Sequence, residues 1–560
     1  MFTNRKKKRI EKLLREFGNL KTESFNFEEI EGYFRKKNRS DAFQTLSDKT
    51  CNDLDFQELF MFIDRTNSGV GQQYLYNKLR NIPTGASSSG TKEQLADEFT
   101  TTTELKEQLA NEFTTTTDFN ELLVDEFTNN ADFRVAVQYQ LNKLNKPEAY
   151  YIASLFQDEI LKPPAWYFMI PLLSVASLAS VVLAFINPVF VFVVLGLSLI
   201  NIVIHFRNKK NLFNYFSSIP QLSTLNGVAQ ELFSYDPLKK INLELMASAR
   251  VINKVSNRMS FFNLETRIQN DQQILFWAIL ELLKIVVLME PLLLFGTLKR
   301  IDTRRAEIEA VFQFVGEIDA ILSVASLRHG LKNFCIPEIS EARKQLVAKE
   351  VYHPLIENCV TNSLKVHHSS ILLTGSNMSG KTSFIRTIAI NVITGLTINT
   401  CFAAHFTMPR MCIYSAIRIS DDLLNDRSYY FEEVVTIKEM IDHSHNGQCK
   451  LFLLDELFKG TNTIERISAG KAVLSSLNND NNIVFVSTHD LELADLLKAE
   501  YDLYHFSEMV DEKTVAFDYK LKEGKLTHRN AIRILQLNEY PEEIIAEAMK
   551  LSEELDKNTR

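Results

Sequence analysis

No Asp, Glu, Lys or Arg occurs between Trp166 and Phe206. The dipeptide Asn187-Pro188, which is typical of turns, divides this stretch into two apolar runs of about twenty residues. At a rise of about 1.5 Å per residue, a helix of that length matches the ~30 Å apolar layer of a bilayer. The sequence therefore predicts a transmembrane helical hairpin over residues 164–207. The alternative is a buried helical hairpin of a soluble core, where so long a stretch without charge is rare.

The flanks of this hairpin predict its orientation. Trp166 and Tyr167 stand at one edge, and aromatic side chains favour the membrane–water interface. Lys162 precedes the hairpin, and Arg207 and Lys210 follow it, so the positive-inside rule places both flanks in the cytoplasm. We therefore expect two spans with both termini cytoplasmic, in the cytoplasmic membrane of a bacterium.

A third apolar run covers residues 274–295. It differs from the hairpin because it carries Glu281, Lys284 and Glu290. Each charge near the centre of a bilayer costs roughly 2.5–3.5 kcal/mol on insertion scales. One further span would also place the C-terminal part of the chain outside the cell. The sequence thus predicts a core helix or a helix lying at the membrane surface.

Residues 91–133 hold an internal repeat. The segments LADEFTTTTELKEQ, LANEFTTTTDFNEL and LVDEFTNNADF recur about every fourteen residues. Two heptads have the same length, so stacked helices are one interpretation. The β-branched TTTT blocks disfavour long helices, and we favour a tandem duplication in a surface segment.

The composition indicates a large globular protein in a reducing compartment. A chain of 560 residues exceeds the ~250 residues that one core usually holds, so several domains are expected. The net charge of −8 gives no basic excess, and any contact with DNA would have to be local. The six cysteines form no CxxC pair and no zinc spacing, which predicts reduced thiols and no structural metal. The start, MFTNRKKKRIEKLLREF, predicts a solvated basic helix, with a membrane-surface or DNA contact as the alternative.

From about Gln345, short apolar runs alternate with helical patterns, which is typical of a parallel sheet covered by helices. After the first run, Gly375-x-x-x-x-Gly380-Lys381-Thr382 matches a phosphate-binding loop. In such a loop, backbone N–H groups and the positive end of the following helix bind phosphates. The predicted ATP-binding residues here are Gly375, Ser376, Asn377, Met378, Ser379, Gly380, Lys381, Thr382 and Ser383.

Five side chains receive chemical roles from their positions. Lys381 should reach the β- and γ-phosphates, and Thr382 should ligate Mg²⁺. Asp455, at the end of the apolar run LFLLDE, should hold the Mg²⁺ through water, and Glu456 should orient or deprotonate the attacking water. His489 ends a third run, NIVFVSTH, and could sense the γ-phosphate. The plain alternatives are a helix cap or surface pair for the two acids and a structural role for the histidine.

At these motifs the sequence resembles the MutS family, the ATPases of DNA mismatch repair and their relatives. GSNMSGKTSFIRTIA resembles the phosphate loop of that family, LFLLDELFKGTNT its Walker B segment, and VSTHDLEL its histidine switch. DDLLNDRSYYFEEV resembles the segment of its signature serine, and NAIRILQLNEYPEEIIAEA its C-terminal helical tail. Together these segments cover roughly residues 350–555.

The resemblance implies a homodimer. Ser428 and Glu433 fall at signature positions of the family, where Ser428 would act in trans at the ATP site of the partner. Without the resemblance, this serine would be a plain helix N-cap. Cys359 stands where the family often stacks an aromatic ring on adenine, and Tyr519 corresponds to a second stacking position. Adenine stacking on Tyr519 is therefore expected.

Upstream, the resemblance is looser. LDFQELFMFIDRTNSGVGQQYLYNKLRNIP is similar to the start of the MutS helical core, and VGEIDAILSVASLRHGLKNFCIPEI to its end. The DNA clamp of the family is normally inserted between these parts, and here the hairpin occupies that interval. The mismatch-reading domain has no room before Leu54, and the nuclease-type domain of some relatives is not expected.

These observations predict a multidomain chain. Its expected parts are an α-helical, lever-like core at 1–160 and 208–345, the transmembrane hairpin at 164–207, and an α/β P-loop ATPase domain at 346–560. The predicted function is that of a membrane-anchored MutS-like ATPase, which dimerises through its ATPase domains and moves its helical cores. DNA binding is possible, but the net charge does not favour it. An ABC-type transporter ATPase is disfavoured by the absence of an LSGGQ-like signature, and a nucleotide-gated membrane scaffold that binds a protein partner stays open.

Overall fold

The computed structural model describes most of the chain, namely residues 2–38, 42–84, 116–216, 218–239, 248–249, 252, 282–376, 379–418, 429–479, 481–510, 515–526, 532, 535 and 540–559. Of the predicted features, Asn377, Met378, Ser428, residues 91–115 of the repeat and residues 274–281 lie outside this part. The chain divides into two compact units. The first comprises Met1–Asn38, Ile63–Asn77 and Thr100–Gly330, and the second comprises Arg39–Phe62, Lys78–Phe99 and Leu331–Arg560.

The helices and strands are numbered here in chain order. The described helices are α1 (Phe2–Glu16), α2 (Phe27–Ile30), α3 (Gly32–Lys36), α4 (Asp48–Asp53), α5 (Phe56–Ile63), α6 (Gly69–Arg80), α7 (Thr116–Asn129), α8 (Ala131–Leu141), α9 (Ser154–Gln157), α10 (Met169–Ala184), α11 (Phe190–Phe216), α12 (Ser218–Ser234), α13 (Asp236–Lys239), α14 (Met289–Asp302), α15 (Arg305–Gly330), α16 (Lys381–Ile398), α17 (Tyr429–Ser444), α18 (Thr463–Leu477), α19 (Leu491–Leu497) and α20 (Glu542–Thr559). The described strands are β1 (Ala42–Thr45), β2 (Asn81–Pro83), β3 (Glu338–Ser340), β4 (Leu346–Val351), β5 (Asn362–Val366), β6 (Ser370–Thr374), β7 (His405–Pro409), β8 (Cys412–Ala416), β9 (Lys450–Asp455), β10 (Asn482–Thr488), β11 (Tyr501–His505), β12 (Glu508–Val510), β13 (Val515–Phe517) and β14 (Lys522–Glu523).

The first unit is helical, and α10 and α11 pair as a hairpin within it. The turn is made as the sequence predicts, because Asn187 Oδ1 accepts the N–H of Val189 at 3.0 Å. Serines face inward along α10, and large apolar side chains face outward on both helices. The buried serines are Ser174, Ser177 and Ser180, and the most exposed apolar residues within the two helices include Leu172, Val175, Phe192, Leu199 and Val203.

Within the described residues, three helices are long and apolar enough to cross a membrane: Ala165–Ala184, Phe190–Arg207 and Arg305–Gly330. The first two are only 22% and 11% buried over their most apolar windows, whereas the third is 83% buried. We therefore assign Arg305–Gly330 to the protein core and keep the hairpin as the candidate anchor.

The described part of the third apolar run packs against the hairpin. Its backbone is helical at 282–287 and again in α14, and Leu288 between them adopts a left-handed conformation with φ 47°. The rings of Tyr167 and Phe295 meet edge to face at 5.2 Å, and Asn201 Nδ2 donates to Val286 O at 3.1 Å. The sequence predicts a core helix or a helix at the membrane surface, and the structure adds that the described part contacts the hairpin.

A buried carboxylate ties α15 to the segment that precedes α6. Asp319 accepts hydrogen bonds from the backbone N–H of Asn67 at 2.8 Å and from Ser68 Oγ at 2.6 Å. A Cβ at Gly71 would lie 2.1 Å from Asp319 Oδ2, so glycine is required at this close approach. These contacts join residues that lie about 250 positions apart and hold the helical core together.

The second unit is an α/β domain around a six-stranded sheet. The strand order is β14-β11-β6-β10-β9-β8, and all neighbours are parallel except β14, which is antiparallel to β11. A second sheet has the order β3-β7-β4-β5. Strands β6 and β10 are buried at every position, as strands covered on both faces should be. Because the central strands are parallel, their carboxyl ends lie at one edge of the sheet.

An N-terminal segment belongs to this second unit. Asp53 at the end of α4 accepts hydrogen bonds from Ser415 Oγ at 2.7 Å and from the N–H of Arg418 at 2.8 Å. Asp55 forms ion pairs with Arg386 of α16 and with Arg418. The sequence placed these residues in the helical core, but their partners lie more than 300 positions away, on β8, just after β8 and on α16 of the second unit.

Candidate functional site

The phosphate loop connects the centre of the sheet to α16, as the sequence predicts. Gly375 follows β6, where a Cβ would lie 2.8 Å from both Phe506 O and Ser379 Oγ. Gly380 adopts φ 104° immediately before α16, a conformation that only glycine adopts without strain. The loop backbone therefore depends on both glycines, and the N-terminus of a long, buried helix opens at its end.

Lys381 lies inside this loop. Its Nζ donates to Gly375 O and to Ser376 O, both at 2.8 Å, and only 4% of the residue is exposed. Burial lowers the pKa of Lys381 to about 8, although the nearby carboxylates of Glu456 and Asp455 oppose the shift. The ammonium is thus held against the carbonyl oxygens of Gly375 and Ser376, at the start of the loop.

Thr382 and Asp455 meet as a candidate metal pair. Thr382 Oγ1 donates to Asp455 Oδ2 at 2.8 Å, and the Ser487 hydroxyl donates to Asp455 Oδ1. A hydroxyl beside a carboxylate suits Mg²⁺, which prefers oxygen ligands and usually keeps several waters. These two residues therefore fit the predicted role. Ser487 was missed by the sequence analysis, although its position one strand over from Asp455, in VSTH, could have indicated it.

Glu456 and His489, which the sequence places at the ends of two separate strands, are in contact. Glu456 Oε1 lies 2.7 Å from His489 Nε2, and Oε2 lies 2.7 Å from Lys459 Nζ. Burial alone would raise the pKa of Glu456, but hydrogen bonds from His489 and Lys459 lower it to about 2. Glu456 also adopts φ 52°, a left-handed conformation that is uncommon for a residue other than glycine. The carboxylate is therefore ionised and held at the strand end by several partners.

Glu433 contacts the same loop from α17. It is buried, and its Oε1 accepts the N–H of Phe458 at 2.6 Å, where Phe458 also has a positive φ of 57°. Burial raises the pKa of Glu433, and the hydrogen bond from Phe458 opposes that shift. The resemblance groups Glu433 with Ser428 as signature residues, and the structure shows that Glu433 contacts Phe458 of its own chain.

A cavity of about 530 Å³ opens beside the loop. The predicted residues Ser376, Gly380, Lys381, Thr382, Ser383, Glu456 and Tyr519 line it, together with Cys359, His353 and Asn362. Burial lowers the pKa of His353 to about 4, so this imidazole is neutral at pH 7.

Tyr519 lies at the edge of this cavity. It is 45% exposed, and its backbone carbonyl accepts from Asn362 Nδ2 at 2.9 Å. Asn362, which also accepts the N–H of Leu521, was missed by the sequence analysis. The loop that carries Tyr519, the predicted adenine-stacking residue, is therefore anchored by the side-chain amide of Asn362, three residues after Cys359.

Comparisons with known proteins point to one family. Residues 371–556 match the family model of MutS domain V. The DNA mismatch repair protein MutS of Listeria innocua is 29% identical over 267 residues, which cover 45% of this chain and 30% of that protein. MutS of Aquifex pyrophilus is 29% identical over 252 residues (43% and 29%), and the DNA mismatch repair protein MSH3 of Kluyveromyces lactis is 30% identical over 276 residues (46% and 26%).

The match thus spans about a quarter to a third of the length of these relatives. It includes the phosphate loop, the Asp455–Glu456 strand end and His489, whose side chains the structure brings to one edge of a parallel sheet. Residues 371–556 are therefore a domain of the MutS family type.

Proposed function

We propose that this protein is a membrane-anchored ATP hydrolase that works as a dimer and moves its helical core during the ATP cycle. The observation that carries the ATPase part is that Lys381, Thr382 and Glu456 line one cavity, while Asp455 contacts Thr382 and His489 contacts Glu456. A phosphate loop, a metal pair and a water-orienting acid are the parts that phosphoryl transfer to water requires.

Each side chain has a defined task in this proposal. Lys381 binds the β- and γ-phosphates, and Thr382 and Asp455 hold Mg²⁺, which neutralises phosphate charge when bound. Glu456 has a pKa of about 2, so it is a poor proton acceptor and acts chiefly by orienting the attacking water. His489, which is in contact with Glu456, keeps this carboxylate in position and reports on the γ-phosphate.

The membrane part rests on α10 and α11. Their outward faces are apolar, with Phe192 77% and Leu199 67% exposed, and few such side chains face water on a soluble protein. Burial of these faces in lipid would account for them, and the flanking lysines and arginines favour a cytoplasmic location for both termini.

The coupling part rests on chain continuity. Helix α5 begins in the second unit, next to Asp53 and Asp55, and ends at Ile63, which belongs to the first. Asp55 pairs with Arg386 on the helix that follows the phosphate loop. A shift of that helix on ATP binding would therefore act on the start of α5, through which the chain continues into the first unit.

Two variants test the ATPase proposal. Lys381→Ala should lose ATP binding, measured with a fluorescent ATP analogue, whereas Glu456→Ala should bind ATP and lose turnover. Wild-type turnover in Glu456→Ala would refute the role of this residue.

Anchoring is tested separately by washing membranes with high salt and with alkaline carbonate, and release of the protein by either wash would argue against a span.

DNA binding is a second candidate, because the similar proteins bear the name DNA mismatch repair protein. The net charge of −8 does not favour it. Filter binding of the detergent-solubilised protein at several salt concentrations separates the two, since contact with phosphates makes the affinity fall steeply with salt. Binding that is absent even at low salt would reject this candidate.

A further inference from the structure

Two cysteines lie opposite each other just after Leu331, where the chain returns to the second unit. Cys335 and Cys401 form an isolated antiparallel β-bridge. The N–H of Cys335 donates to Cys401 O at 3.0 Å, and the N–H of Cys401 donates to Cys335 O at 2.9 Å. Residues that exchange both of these bonds have their Cα atoms about 5.5 Å apart. A disulfide needs a separation of about 4.4–6.8 Å, so this backbone can carry one.

The two thiol groups are themselves hydrogen-bonded. The hydrogen bond from the Cys401 thiol lowers the pKa of Cys335, although partial burial opposes this shift. The thiolate is the nucleophile in disulfide chemistry, so a lowered pKa favours reaction at Cys335. Cys335 is also partly exposed, whereas Cys401 is fully buried. One sulfur of the pair is therefore accessible from solution, and its neighbour lies in the interior.

The helix that follows the phosphate loop fixes the position of Cys401. The Sγ of Cys401 donates to Asn391 O of α16 at 3.3 Å, and the N–H of Phe402 donates to Asn391 Oδ1 at 2.6 Å. A Cβ at Gly395 of the same helix would lie 2.8 Å from Cys401 Sγ, so the helix approaches this sulfur closely. A covalent bond between Cys335 and Cys401 would thus fasten the segment after Leu331 to α16.

We propose that Cys335 and Cys401 are a reversible disulfide site, which small disulfides such as oxidised glutathione convert from the dithiol to the disulfide form. The thiolate of Cys335 attacks one sulfur of the small disulfide, breaks its S–S bond and releases one thiolate. The sulfur of Cys401 then attacks Cys335 Sγ in the mixed disulfide and releases the second thiolate. The two protein thiols are oxidised, the small disulfide is reduced to two thiols, and these take up the two protons. In a reducing compartment the pair is a dithiol at rest, and it closes when the pool of small thiols becomes oxidised.

A second pair of cysteines in the same unit provides an internal comparison. The N–H of Cys412 donates to Cys449 O at 3.0 Å, so these residues are also neighbours. Both are buried, and burial raises the pKa of Cys412 to about 11 and that of Cys449 to about 12. Buried thiols of this kind are inert, because little thiolate is present at neutral pH. Oxidation by a small disulfide should therefore select Cys335 and Cys401.

Peptide mapping of the full-length, detergent-solubilised protein tests this site. The protein is equilibrated with mixtures of reduced and oxidised glutathione, the remaining thiols are alkylated after denaturation, and the unreduced digest is analysed by mass spectrometry. Peptides linked through Cys335 and Cys401 should appear as the oxidised fraction rises, with a loss of two alkylated thiols per chain. Reduced glutathione should reverse this change, and Cys412 and Cys449 should stay alkylated throughout.

Two variants test the order of the steps. In Cys401→Ser, Cys335 should retain one glutathione, because no second thiol resolves the mixed disulfide, and in Cys335→Ser the buried Cys401 should stay reduced. Cys359→Ser is the matched control, since Cys359 is another partly exposed thiol, and it should form the bond as the wild type does.

The deciding result comes from the wild-type protein and needs no variant to fold. Cys335 and Cys401 that both stay alkylated in oxidised glutathione alone would overturn the inference. Glutathione retained on Cys335 of the wild type, or a bond found only between two chains, would overturn it as well.

Discussion

Replacement of Glu433 should slow ATP hydrolysis without preventing ATP binding. This buried carboxylate accepts the N–H of Phe458, two residues after Glu456, and both of these residues have left-handed backbone conformations. In Glu433→Ala the buried N–H loses its acceptor, which costs ~1–3 kcal/mol. If the whole of that cost opposes the catalytic arrangement of the loop, kcat falls by about 5- to 150-fold, because ~1.4 kcal/mol corresponds to a factor of ten.

Glu433→Gln is the matched control. Its amide oxygen can still accept the Phe458 N–H, and its NH₂ group replaces Oε2, which has no hydrogen-bond partner among the described residues. Burial raises the pKa of Glu433, so the charged form destabilises the folded state above that pKa, and the neutral amide removes this penalty. Glu433→Gln should therefore keep kcat near wild type and be at least as stable at pH 8.

The assay is steady-state ATP hydrolysis at several ATP concentrations, with thermal unfolding measured in parallel. A fall in kcat at constant KM in Glu433→Ala, together with a near-normal Glu433→Gln, supports a positioning role. Full kcat in Glu433→Ala, or an equal loss in both variants, would refute it. An equal loss would show that the charge of Glu433, and not its contact with the loop, is required.

Three further predictions concern assembly, topology and pH. Co-expressed Ser428→Ala and Lys381→Ala chains should recover activity, up to about half of the wild-type value per mixed dimer. In a mixed dimer both substitutions fall in one of the two shared ATP sites, and the other site stays intact. Inactive mixed dimers would reject independent sites that are completed in trans. A cysteine at Asn187 should react with an impermeant thiol reagent in intact cells and one at Lys210 should not, and the reverse pattern would reject the orientation. Because burial lowers the pKa of Lys381 to about 8, the free protein loses this ammonium above pH 8, and ATP affinity measured by titration should fall by up to about tenfold per pH unit. Affinity that stays constant to pH 9 would contradict this shift.

The positions of the candidate catalytic side chains could be predicted from the sequence because each lies at a strand end that the local pattern reveals. Asp455, Glu456 and His489 follow runs of apolar residues, and parallel strands bring such ends to one edge. Asp53 carries no such signal. Its partners on β8 and at Arg418 lie more than 300 positions away, and a short helix ending in Asp reads as surface. Long-range pairing of this kind depends on the assembled fold, which a local pattern does not specify.

The third apolar run is a second case in which a local sequence pattern misses contacts made by distant residues. Insertion costs are quoted for single charges, and on that scale Glu281, Lys284 and Glu290 argue against a third membrane span. The structure pairs these two side chains with each other and with His205, which lies 85 positions before Glu290. Burial of an ion pair costs less free energy than separate burial of its two charges, because the opposite charges attract each other. The sequence shows the charges of Lys284 and Glu290 but not their contact with His205, because that residue is supplied by a separate helix.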